Sequence, residues 1–405
     1  MYSSNVLTFI MSGGKGQRLF PLTRDRAKPA VPFGGIYRVI DFTLSNCLNS
    51  GFHKVHVLTQ YRSMSLDRHI RLGWNVFDPQ VGNFIDTIPA QQRVDESWYK
   101  GTADAIYQNF HVIDNDTPEY VLILAGDHVY KMDYRNMLRF HQEKNADFTV
   151  GLVRMPVEKS RELGVCEVNG DGRLVDFTEK PKNPKTIAGD PDHFFASMGI
   201  YFVGTGFLKK ILLEDSQTKS QHDFGEDIIP KIYKQFKVFA YDFNEFEKYG
   251  SYWRDIGTLD AYYEANMDLV KVTPEFDLYD KNWPIRTYQV QSPPAKTVYD
   301  GSLEASRKGE VVQSLLSQGV VVSGGKVYRS ILSPNVRVNS YTQVEDSIIM
   351  EGVDVARYAK IKKAIIDKEV KIPQGEEIGY NLEKDKKRFH VTDGGITVVA
   401  KRGEV

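Results

Sequence analysis

The stretch Ser12-Gly-Gly-Lys-Gly-Gln-Arg-Leu-Phe-Pro-Leu-Thr23 directly follows the apolar run Val6–Met11 near the start of the chain. A short apolar run is typical of a buried strand, so the glycine-rich stretch falls at the carboxyl end of a predicted strand. Glycines let backbone N–H groups approach a phosphate closely, and three stand here: Gly13, Gly14 and Gly16. The stretch therefore predicts an α/β fold with a phosphate-binding loop after its first strand.

Cationic side chains accompany this loop. Lys15 and Arg18 lie within it, and Lys28 follows in Arg26-Ala-Lys28-Pro. An arginine guanidinium offers paired N–H donors that fit phosphate oxygens, and a lysine adds a point charge. A glycine-rich turn also occurs in α/β proteins without a phosphate ligand, but the second cationic segment favours a loop that binds a triphosphate.

Residues 1–272 alternate short apolar runs with amphipathic stretches such as Tyr134–His141. The apolar runs are predicted to be buried strands: Val6–Met11, Lys54–Thr59, Tyr120–Ala125 and Phe148–Val153. Alternating strands and helices predict an open α/β sheet. In such sheets, ligands bind at the carboxyl ends of the strands, where the glycine-rich loop and Asp127 both fall.

From about residue 314, branched aliphatic residues recur with a step of 17. The series are Val321, Val338, Val355 and Ile372; Val327, Val344, Ile361 and Ile378; and Val336, Val353 and Val370. Their spacing of six within a repeat is typical of a parallel β-helix, and coincidental spacing in a β-sandwich is the alternative. We therefore predict a catalytic domain over 1–272, an extended connector over 273–313 and a parallel β-helix over 314–405.

Asp127 and Asp255 are the candidate metal ligands. Asp127 follows the apolar run Val121–Ala125 and a glycine, and Asp255 lies in Trp-Arg-Asp-Ile-Gly-Thr. Mg²⁺ prefers carboxylate and phosphate oxygens, so a carboxylate at a strand end beside a phosphate loop suits it. A structural aspartate that caps a turn or a helix is the alternative at either position.

Several segments together resemble the sugar-phosphate nucleotidyltransferases and, among them, the bacterial glucose-1-phosphate adenylyltransferase family, also called ADP-glucose pyrophosphorylases. In chain order, they are Gly13–Pro32, Trp98–Ala105, Ala125–Lys131, Phe177–Pro181, Ala196–Tyr201, His222–Gly225, Tyr252–Thr258, Asn282–Tyr288 and the C-terminal repeats. The resemblance covers nearly the whole chain. It implies a Rossmann-like nucleotidyltransferase domain with a mostly parallel sheet, followed by a left-handed parallel β-helix. Ser12 and Gln17 depart from the residues usual in the family, but neither departure removes a charge.

This resemblance implies that the chain transfers the adenylyl group of ATP to α-D-glucose 1-phosphate, giving ADP-glucose and pyrophosphate for glycogen or starch synthesis. It implies Mg²⁺ as cofactor, held by Asp127 and Asp255, and an in-line attack in which Arg18, Lys28 and Asp127 are the catalytic residues. The implied ATP-binding residues are Gly13, Gly14, Gly16, Gln91, Gln92, Tyr99, Gly101 and Thr102. Those implied for glucose 1-phosphate are Glu179, Lys180 and Ser197.

Some of these residues have simpler interpretations. From composition alone, Glu179-Lys180 is a surface ion pair before a turn, and only the resemblance makes it a sugar-phosphate site. We expect His128 to be a solvated neighbour of Asp127, because a phosphate nucleophile is already ionised and needs no base. Asp223 is expected to shape the pocket wall or to cap the following helix, Glu226–Gln235.

Composition narrows the remaining possibilities. The 405 residues suggest more than one domain, and a formal charge of −1 argues against a general nucleic-acid binder. Since no apolar run approaches a membrane span, and the phosphate loop begins too early for a leader peptide, we expect a cytoplasmic protein. A mature plastid protein is the alternative. Cys47 and Cys166 are expected to be buried, reduced thiols.

The resemblance further implies a homotetramer and a small anionic allosteric effector, bound between the two domains by cations from both. The candidate cations are Arg24, Arg26, Arg38 and Arg388. Asp25 departs from the pattern, since fructose-bisphosphate-activated members often carry lysine there. A carboxylate disfavours a bisphosphate, so we expect an altered effector preference, such as a monophosphate sugar or weak activation. A salt-bridged loop without an effector is the alternative.

Three other functions remain open. A sister nucleotidyltransferase using UTP, dTTP or GTP would share the loop and both aspartates but lack the segments Trp98–Asp104 and Asn282–Tyr288. A hexapeptide-repeat acyltransferase would need a catalytic histidine among the coils, and residues 314–389 contain none. A non-catalytic regulatory subunit would tend to lose the metal aspartate or the loop cations, which this chain keeps.

Overall fold

The computed structural model describes residues 5–91, 98–248, 252–301 and 307–401. The helices of the N-terminal region are α1 (Ile40–Asn49), α2 (Met64–Gly73), α3 (Thr102–Tyr107), α4 (Phe110–Asp116), α5 (Tyr134–Glu143), α6 (Thr205–Ser216), α7 (Ile229–Ile232), α8 (Phe243–Phe246) and α9 (Leu259–Asp268). Its strands are β1 (Val6–Ser12), β2 (Pro32–Phe33), β3 (Tyr37–Arg38), β4 (Lys54–Thr59), β5 (Phe84–Pro89), β6 (Tyr120–Ala125), β7 (His128–Tyr130), β8 (Phe148–Pro156), β9 (Gly164–Val168), β10 (Leu174–Glu179), β11 (His193–Gly204), β12 (Val238–Asp242) and β13 (Trp253–Asp255).

One large sheet organises this region. Its order is β10–β9–β11–β6–β1–β4–β5, with β8 beside β11 and β12 beside β8. The strands β5, β4, β1 and β6 pair in parallel, as do β8 and β12. Only β10 and β11 run against the other strands of this sheet, which gives the mostly parallel sheet that the sequence predicts. The predicted strands are confirmed, and Phe148–Val153 extends to Pro156.

Strand β1 lies at the centre of the sheet and is buried on both faces. Val6 and Ile10 belong to the hydrophobic cluster under α1, α2 and α5, whereas Leu7 and Phe9 belong to the cluster under α3 and α6. A strand covered on both faces has to be apolar throughout, which explains the continuous run. Because β1 and β6 pair in parallel with Met11 opposite Ala125, the loops after both strands open at one edge.

The C-terminal region forms three ladders of short, mostly parallel strands, the pattern of a left-handed parallel β-helix. Its strands are β14 (Lys296–Asp300), β15 (Arg307–Lys308), β16 (Glu310–Val312), β17 (Leu315–Leu316), β18 (Val321–Ser323), β19 (Lys326–Tyr328), β20 (Ile331–Leu332), β21 (Arg337–Val338), β22 (Gln343–Glu345), β23 (Ile348–Ile349), β24 (Asp354–Val355), β25 (Lys360–Lys362), β26 (Ala364–Ile366), β27 (Lys371–Ile372), β28 (Glu377–Ile378), β29 (His390–Val391) and β30 (Thr397–Val399), with helix α10 (Leu382–Asp385) before β29.

The predicted aliphatic series lie inside this β-helix, with one correction. The ladder from Val327 to Ile378 is confirmed, and all of its members are buried. In the first series, however, Val322 and not Val321 pairs with Val338 and is buried. The first coil therefore advances by 16 residues. Val321 and Val322 are adjacent, so the sequence alone does not show which of them faces the interior. The structure shows that it is Val322.

Parallel pairing begins earlier than the pattern suggests. Strand β14 pairs in parallel with β18, and β16 pairs with β19, although both lie within residues 273–313, which we assigned to the connector. Lys296, Thr297 and Tyr299 are exposed at this end of the β-helix. Since these positions do not face a filled interior, they need no branched aliphatic residues. The start of the β-helix was predicted from the recurrence of such residues, so this first part was not recognised.

Ion pairs between successive coils repeat the same period. Four pairs join residues 17 apart: Arg329–Asp346, Lys360–Glu377, Lys362–Glu345 and Lys368–Glu351. Neighbouring strands in a ladder lie about 4.8 Å apart, so residues one coil apart have adjacent side chains. Opposite charges at this step therefore fix the register of the coils on their outer face.

The two regions pack against each other. Val31 shares a hydrophobic cluster with Ile348 and Ile365 of the β-helix. Arg26 donates to both carboxylate oxygens of Asp367, at 2.9 and 3.0 Å, and both side chains are almost fully buried. This ion pair, in which one guanidinium nitrogen contacts both carboxylate oxygens, ties the segment before Lys28 to the β-helix.

The family-like segment Asn282–Tyr288 holds the chain against α1. Trp283 Nε1 donates to Asn46 Oδ1 at 2.8 Å, and Thr287 Oγ1 donates to Asp41 Oδ2 at 2.6 Å. Both acceptors are fully buried. These contacts explain why the segment is aromatic and ordered, and they give it a packing role.

Candidate active site

The glycine-rich loop joins β1 to a short 3₁₀ helix, Gln17–Leu19. Gly16 has a φ of 61°, and its carbonyl accepts a hydrogen bond from Thr23 Oγ1 at 2.8 Å. A Cβ at Gly16 would lie 3.1 Å from Thr23 and 3.2 Å from Lys28 side-chain atoms. Both the left-handed conformation and the lack of space therefore require glycine at this position.

A cavity of about 620 Å³ lies over this loop. Its lining includes most of the residues predicted for the triphosphate: Gly14, Gly16, Arg18, Lys28 and Asp127. Gly13 instead abuts Gln60, whose Cβ would lie 3.3 Å from a Cβ at this glycine. Gly257 also lines the cavity, close to Asp255 and to the guanidinium of Arg18. The structure thus brings the predicted cations and Asp127 to one concave surface, with Asp255 beside Gly257 at its edge.

Lys28 joins the two predicted metal ligands. Its Nζ donates to Asp127 Oδ2 at 2.6 Å and to Asp255 Oδ1 at 3.0 Å. Burial alone would raise the pKa of Asp127, but the Lys28 ammonium lowers it to about 2. Burial conversely lowers the pKa of Lys28, but the two carboxylates outweigh it and raise that pKa. The site therefore holds two carboxylate groups around one positive charge, and carboxylate oxygens are ligands that suit a divalent cation.

His128 is not the solvated neighbour that we predicted. It is 8% exposed, and its ring packs edge-to-face on Trp253 with centroids 4.8 Å apart. Antiparallel pairing of β7 with β13 places His128 opposite Asp255. Burial lowers the pKa of His128, although both carboxylates oppose this shift, so the neutral imidazole is favoured. The sequence could not show this burial, because β7 and β13 are more than 100 residues apart.

A second cavity, of about 220 Å³, adjoins the first at Met11. It collects the three residues predicted for glucose 1-phosphate: Glu179, Lys180 and Ser197. Lys180 has a φ of 48°, uncommon for a residue with a side chain, and its Nζ donates to Glu179 Oε1 at 2.7 Å. The structure therefore places a carboxylate and a cation together beside the first cavity.

Asp223 also lines this second cavity and has both predicted roles. Its Oδ1 accepts hydrogen bonds from the backbone N–H groups of Gly225 and Glu226. A π-helix, Phe224–Ile228, begins there and continues into α7, in place of the predicted Glu226–Gln235. Thr102, predicted for ATP, donates to Asp223 Oδ2 at 2.9 Å and so faces the second cavity.

The other residues predicted for ATP are more dispersed. The hydroxyl of Tyr99 accepts a hydrogen bond from Asn109 Nδ2 at 2.8 Å. A Cβ at Gly101 would lie 2.3 Å from the carbonyl oxygens of residues 221 and 222, so local packing accounts for this glycine. Gln91 is exposed beyond the end of β5, and Gln92 lies outside the described residues.

The predicted effector cations already have partners. Arg26 is paired with Asp367, as described above. Arg24 donates to the carbonyl oxygen of Lys401 and lies 3.5 Å from the carboxylate of Asp25. The negative charge of Asp25, which departs from the family pattern, is thus partly neutralised by Arg24.

The two remaining candidates, Arg38 and Arg388, bind different groups. Arg38 donates to the carbonyl and the hydroxyl of Ser65 at 2.9 and 2.8 Å, and Arg388 pairs with Glu376 at 2.7 Å. Burial lowers the pKa of Arg38, and Arg26 contributes to this shift. Arg26 lies at the boundary between the two regions, since it bonds to Asp367 of the β-helix.

Lys368 is a further cation near this boundary that was not predicted from the sequence. Its Nζ lies 2.6 Å from Glu351 Oε2. Burial lowers the pKa of Lys368, Glu351 opposes this, and Arg38 and Arg26 lower it further. Lys368 stands 17 residues, or one repeat, after Glu351. This spacing could have predicted their ion pair, because residues 17 apart lie side by side on one outer face.

Comparisons with known proteins agree with this geometry. A nucleotidyl transferase family model matches residues 7–272, and a model for GlmU-like C-terminal hexapeptide repeats matches residues 293–399. A Rhodopirellula baltica protein named glucose-1-phosphate adenylyltransferase is 54% identical over 98% of this chain and 90% of its own length. The chain belongs to the glucose-1-phosphate adenylyltransferase family. Proteins of the same name from Koribacter versatilis and an Anaeromyxobacter species are each 50% identical over 98% of this chain, covering 95% and 98% of their own lengths.

Membership of this family of nucleotidyltransferases confirms the assignment made from the sequence motifs. The match from residue 293 also agrees with a β-helix that begins at β14. Both cysteines are buried and free, as predicted. Across the described part of the chain, none of the helices has the length and apolar character that crossing a membrane requires.

Proposed function

We propose that this chain transfers the adenylyl group of ATP to α-D-glucose 1-phosphate and so forms ADP-glucose and pyrophosphate. One observation carries this proposal: a phosphate loop with two cations and a sugar-sized cavity with Glu179 and Lys180 adjoin at Met11. The relatives that match nearly the whole chain are named for this activity. A glycogen or starch precursor is then the product.

The reaction needs alignment and charge neutralisation more than covalent chemistry. The loop from Gly14 to Arg18 binds the triphosphate, and Arg18 stabilises the departing pyrophosphate. Lys180 holds the phosphate of glucose 1-phosphate, while Glu179 accepts hydrogen bonds from sugar hydroxyls. Lys28, which lines the triphosphate cavity, neutralises charge that develops around the α-phosphate.

Asp127 and Asp255 would hold Mg²⁺, which supplies charge neutralisation on the nucleophilic and α-phosphate oxygens when bound. Both carboxylates bond to one cation, the Lys28 ammonium, and Asp127 lines the triphosphate cavity. The residues present therefore fit the cofactor. His128 acts as no base in this scheme, because the nucleophilic phosphate is already ionised.

Exchange of Lys180 tests the assignment of the second cavity. Loss of one charge-assisted hydrogen bond in Lys180→Ala should raise the KM for glucose 1-phosphate by at least about tenfold and leave the KM for ATP within about twofold. Lys185→Ala is a matched control, since Lys185 is an exposed lysine paired with Glu167 and Asp176. Equal effects on both substrates would show that Lys180 is structural.

We further propose that the chain works as a cytoplasmic homotetramer with an anionic effector at the domain boundary. Exposed aromatic side chains on the β-helix, Tyr299, Tyr341 and Tyr358, favour assembly through this domain. Burial lowers the pKa of Arg38 and of Lys368, and an anion bound beside them would offset the cost of burying these charges. Light scattering at micromolar concentration tests the assembly, and a stable monomer would refute it.

A further inference from the structure

His128 faces the acid pair from inside the fold. Its Nε2 lies 3.5 Å from Asp127 Oδ1 and 3.9 Å from Asp255 Oδ1. Lys28 takes the other oxygen of Asp127, Oδ2, which leaves Oδ1 directed at the imidazole. Packing against Trp253 and the pairing of β7 with β13 fix the ring in this orientation.

These contacts do not satisfy the imidazole. Both distances to the carboxylates are too long for a good hydrogen bond. Nδ1 is buried and finds no hydrogen-bond partner among the described residues. If Nδ1 carries the proton, the lone pair of Nε2 points at two carboxylates, which is repulsive unless a cation lies between them.

The spacing of the three groups suits a shared cation. Ligand atoms of Asp127, His128 and Asp255 all lie within 4.8 Å of one another. A six-coordinate cation with bonds of about 2.1 Å places neighbouring ligand atoms about 3.0 Å apart and opposite ones about 4.2 Å apart. Both distances from His128 Nε2 fall within this range.

We propose that His128 Nε2 is a third protein ligand of the divalent cation, which makes the site two carboxylates and one imidazole. The inference rests on the proposed function, which assigns the cation to Asp127 and Asp255. Imidazole nitrogen suits first-row transition ions such as Mn²⁺ and Co²⁺, whereas Mg²⁺ prefers oxygen. His128 therefore gives the site a stronger preference for Mn²⁺ over Mg²⁺ than carboxylates alone would give.

The test uses Mn²⁺ and the full chain labelled with ¹⁵N-histidine, with and without ATP. Electron spin-echo modulation should show ¹⁵N coupled to bound Mn²⁺ in the wild type and none in His128→Asn. By titration, His128→Asn should weaken Mn²⁺ binding by at least about tenfold and Mg²⁺ binding by less than about threefold. His141→Asn is the control, since His141 is buried but bonds to Thr149 away from the site.

The outcomes separate this inference from the proposed function. Bound Mn²⁺ without a ¹⁵N coupling, or equal losses for Mn²⁺ and Mg²⁺ in His128→Asn, would overturn the histidine ligand and leave the acid pair as the metal site. A wild type that binds no Mn²⁺ even with ATP would overturn the metal site itself. His128→Phe, which keeps an aromatic ring on Trp253, shows whether any loss arises from packing.

Discussion

Replacing Lys28 with methionine removes the positive charge that joins Asp127 and Asp255. The Lys28 ammonium occupies the position between the carboxylates, so a divalent cation has to compete with it. We expect Lys28→Met to bind Mn²⁺ more tightly than the wild type in the absence of nucleotide. We also expect its turnover to fall by at least about a hundredfold, because the cation at the α-phosphate is lost.

The size of the first effect follows from the pKa of Asp127. The pKa of Asp127 falls from 3.8 to about 2 although burial raises it, and among the groups that lower it the Lys28 ammonium comes first, ahead of His128. At about 1.36 kcal/mol per pKa unit, this net shift corresponds to about 2 kcal/mol of stabilisation of the carboxylate, mainly by the ammonium. Relief of that competition corresponds to an affinity for Mn²⁺ that is about thirtyfold higher.

Titration calorimetry with Mn²⁺ measures the affinity, and pyrophosphate release measures turnover. Lys15→Met is the control, because Lys15 lines the same cavity but is exposed. An unchanged or weaker affinity for Mn²⁺ in Lys28→Met would show that the ammonium and the cation do not compete for the same carboxylates.

Further predictions concern stability and regulation. Burial raises the pKa of Glu247 from 4.5 to about 7, so the folded state favours the protonated carboxyl. The free energy of unfolding therefore falls as the pH rises from about 4.5, where the unfolded chain loses this proton, to about 7, where the folded chain loses it. Glu247→Gln should therefore be more stable than the wild type by up to about 3 kcal/mol at pH 8 and by little at pH 4.5, as measured by urea unfolding. Arg26→Met leaves Asp367 as an unpaired buried charge and should lower stability by about 3 kcal/mol, whereas adding Asp367→Asn should restore part of it. In activation assays with fructose bisphosphate, fructose 6-phosphate, pyruvate and AMP, Asp25→Lys should shift the preference towards fructose bisphosphate; strong activation of the wild type by this ligand, unchanged in the variant, would exclude Asp25 as the determinant.

Local patterns predicted the framework of the fold. The strand Tyr120–Ala125 has the predicted bounds because a parallel strand that is covered on both faces is apolar along its length. The ladder through Val344 and Ile361 was predictable because each coil places one residue of this ladder in the interior, and an apolar residue has to recur there. The pattern failed where that constraint is absent, as at β14, or where two valines are equivalent, as at Val321 and Val322.

Contacts between distant segments were beyond the sequence. The burial of His128 depends on β13, and the pairing of Arg26 with Asp367 joins residues 341 apart. The motifs named Lys28, Asp127 and Asp255 as residues of one site, and the three are in contact in the folded chain. Their ion pairs, and the position of Lys28 between the carboxylates, required the folded chain.

Pyrophosphate release with glucose 1-phosphate and each of ATP, UTP, dTTP and GTP tests the central proposal most directly. We expect the wild type to release pyrophosphate from ATP at least about tenfold faster than from the other three nucleotides, and Asp127→Asn to lose at least about a hundredfold of the rate with ATP. Release that is fastest with another nucleotide would contradict the proposed substrate. Absence of release with every nucleotide would identify a non-catalytic member of the family, and a near-normal rate in Asp127→Asn would contradict the metal site.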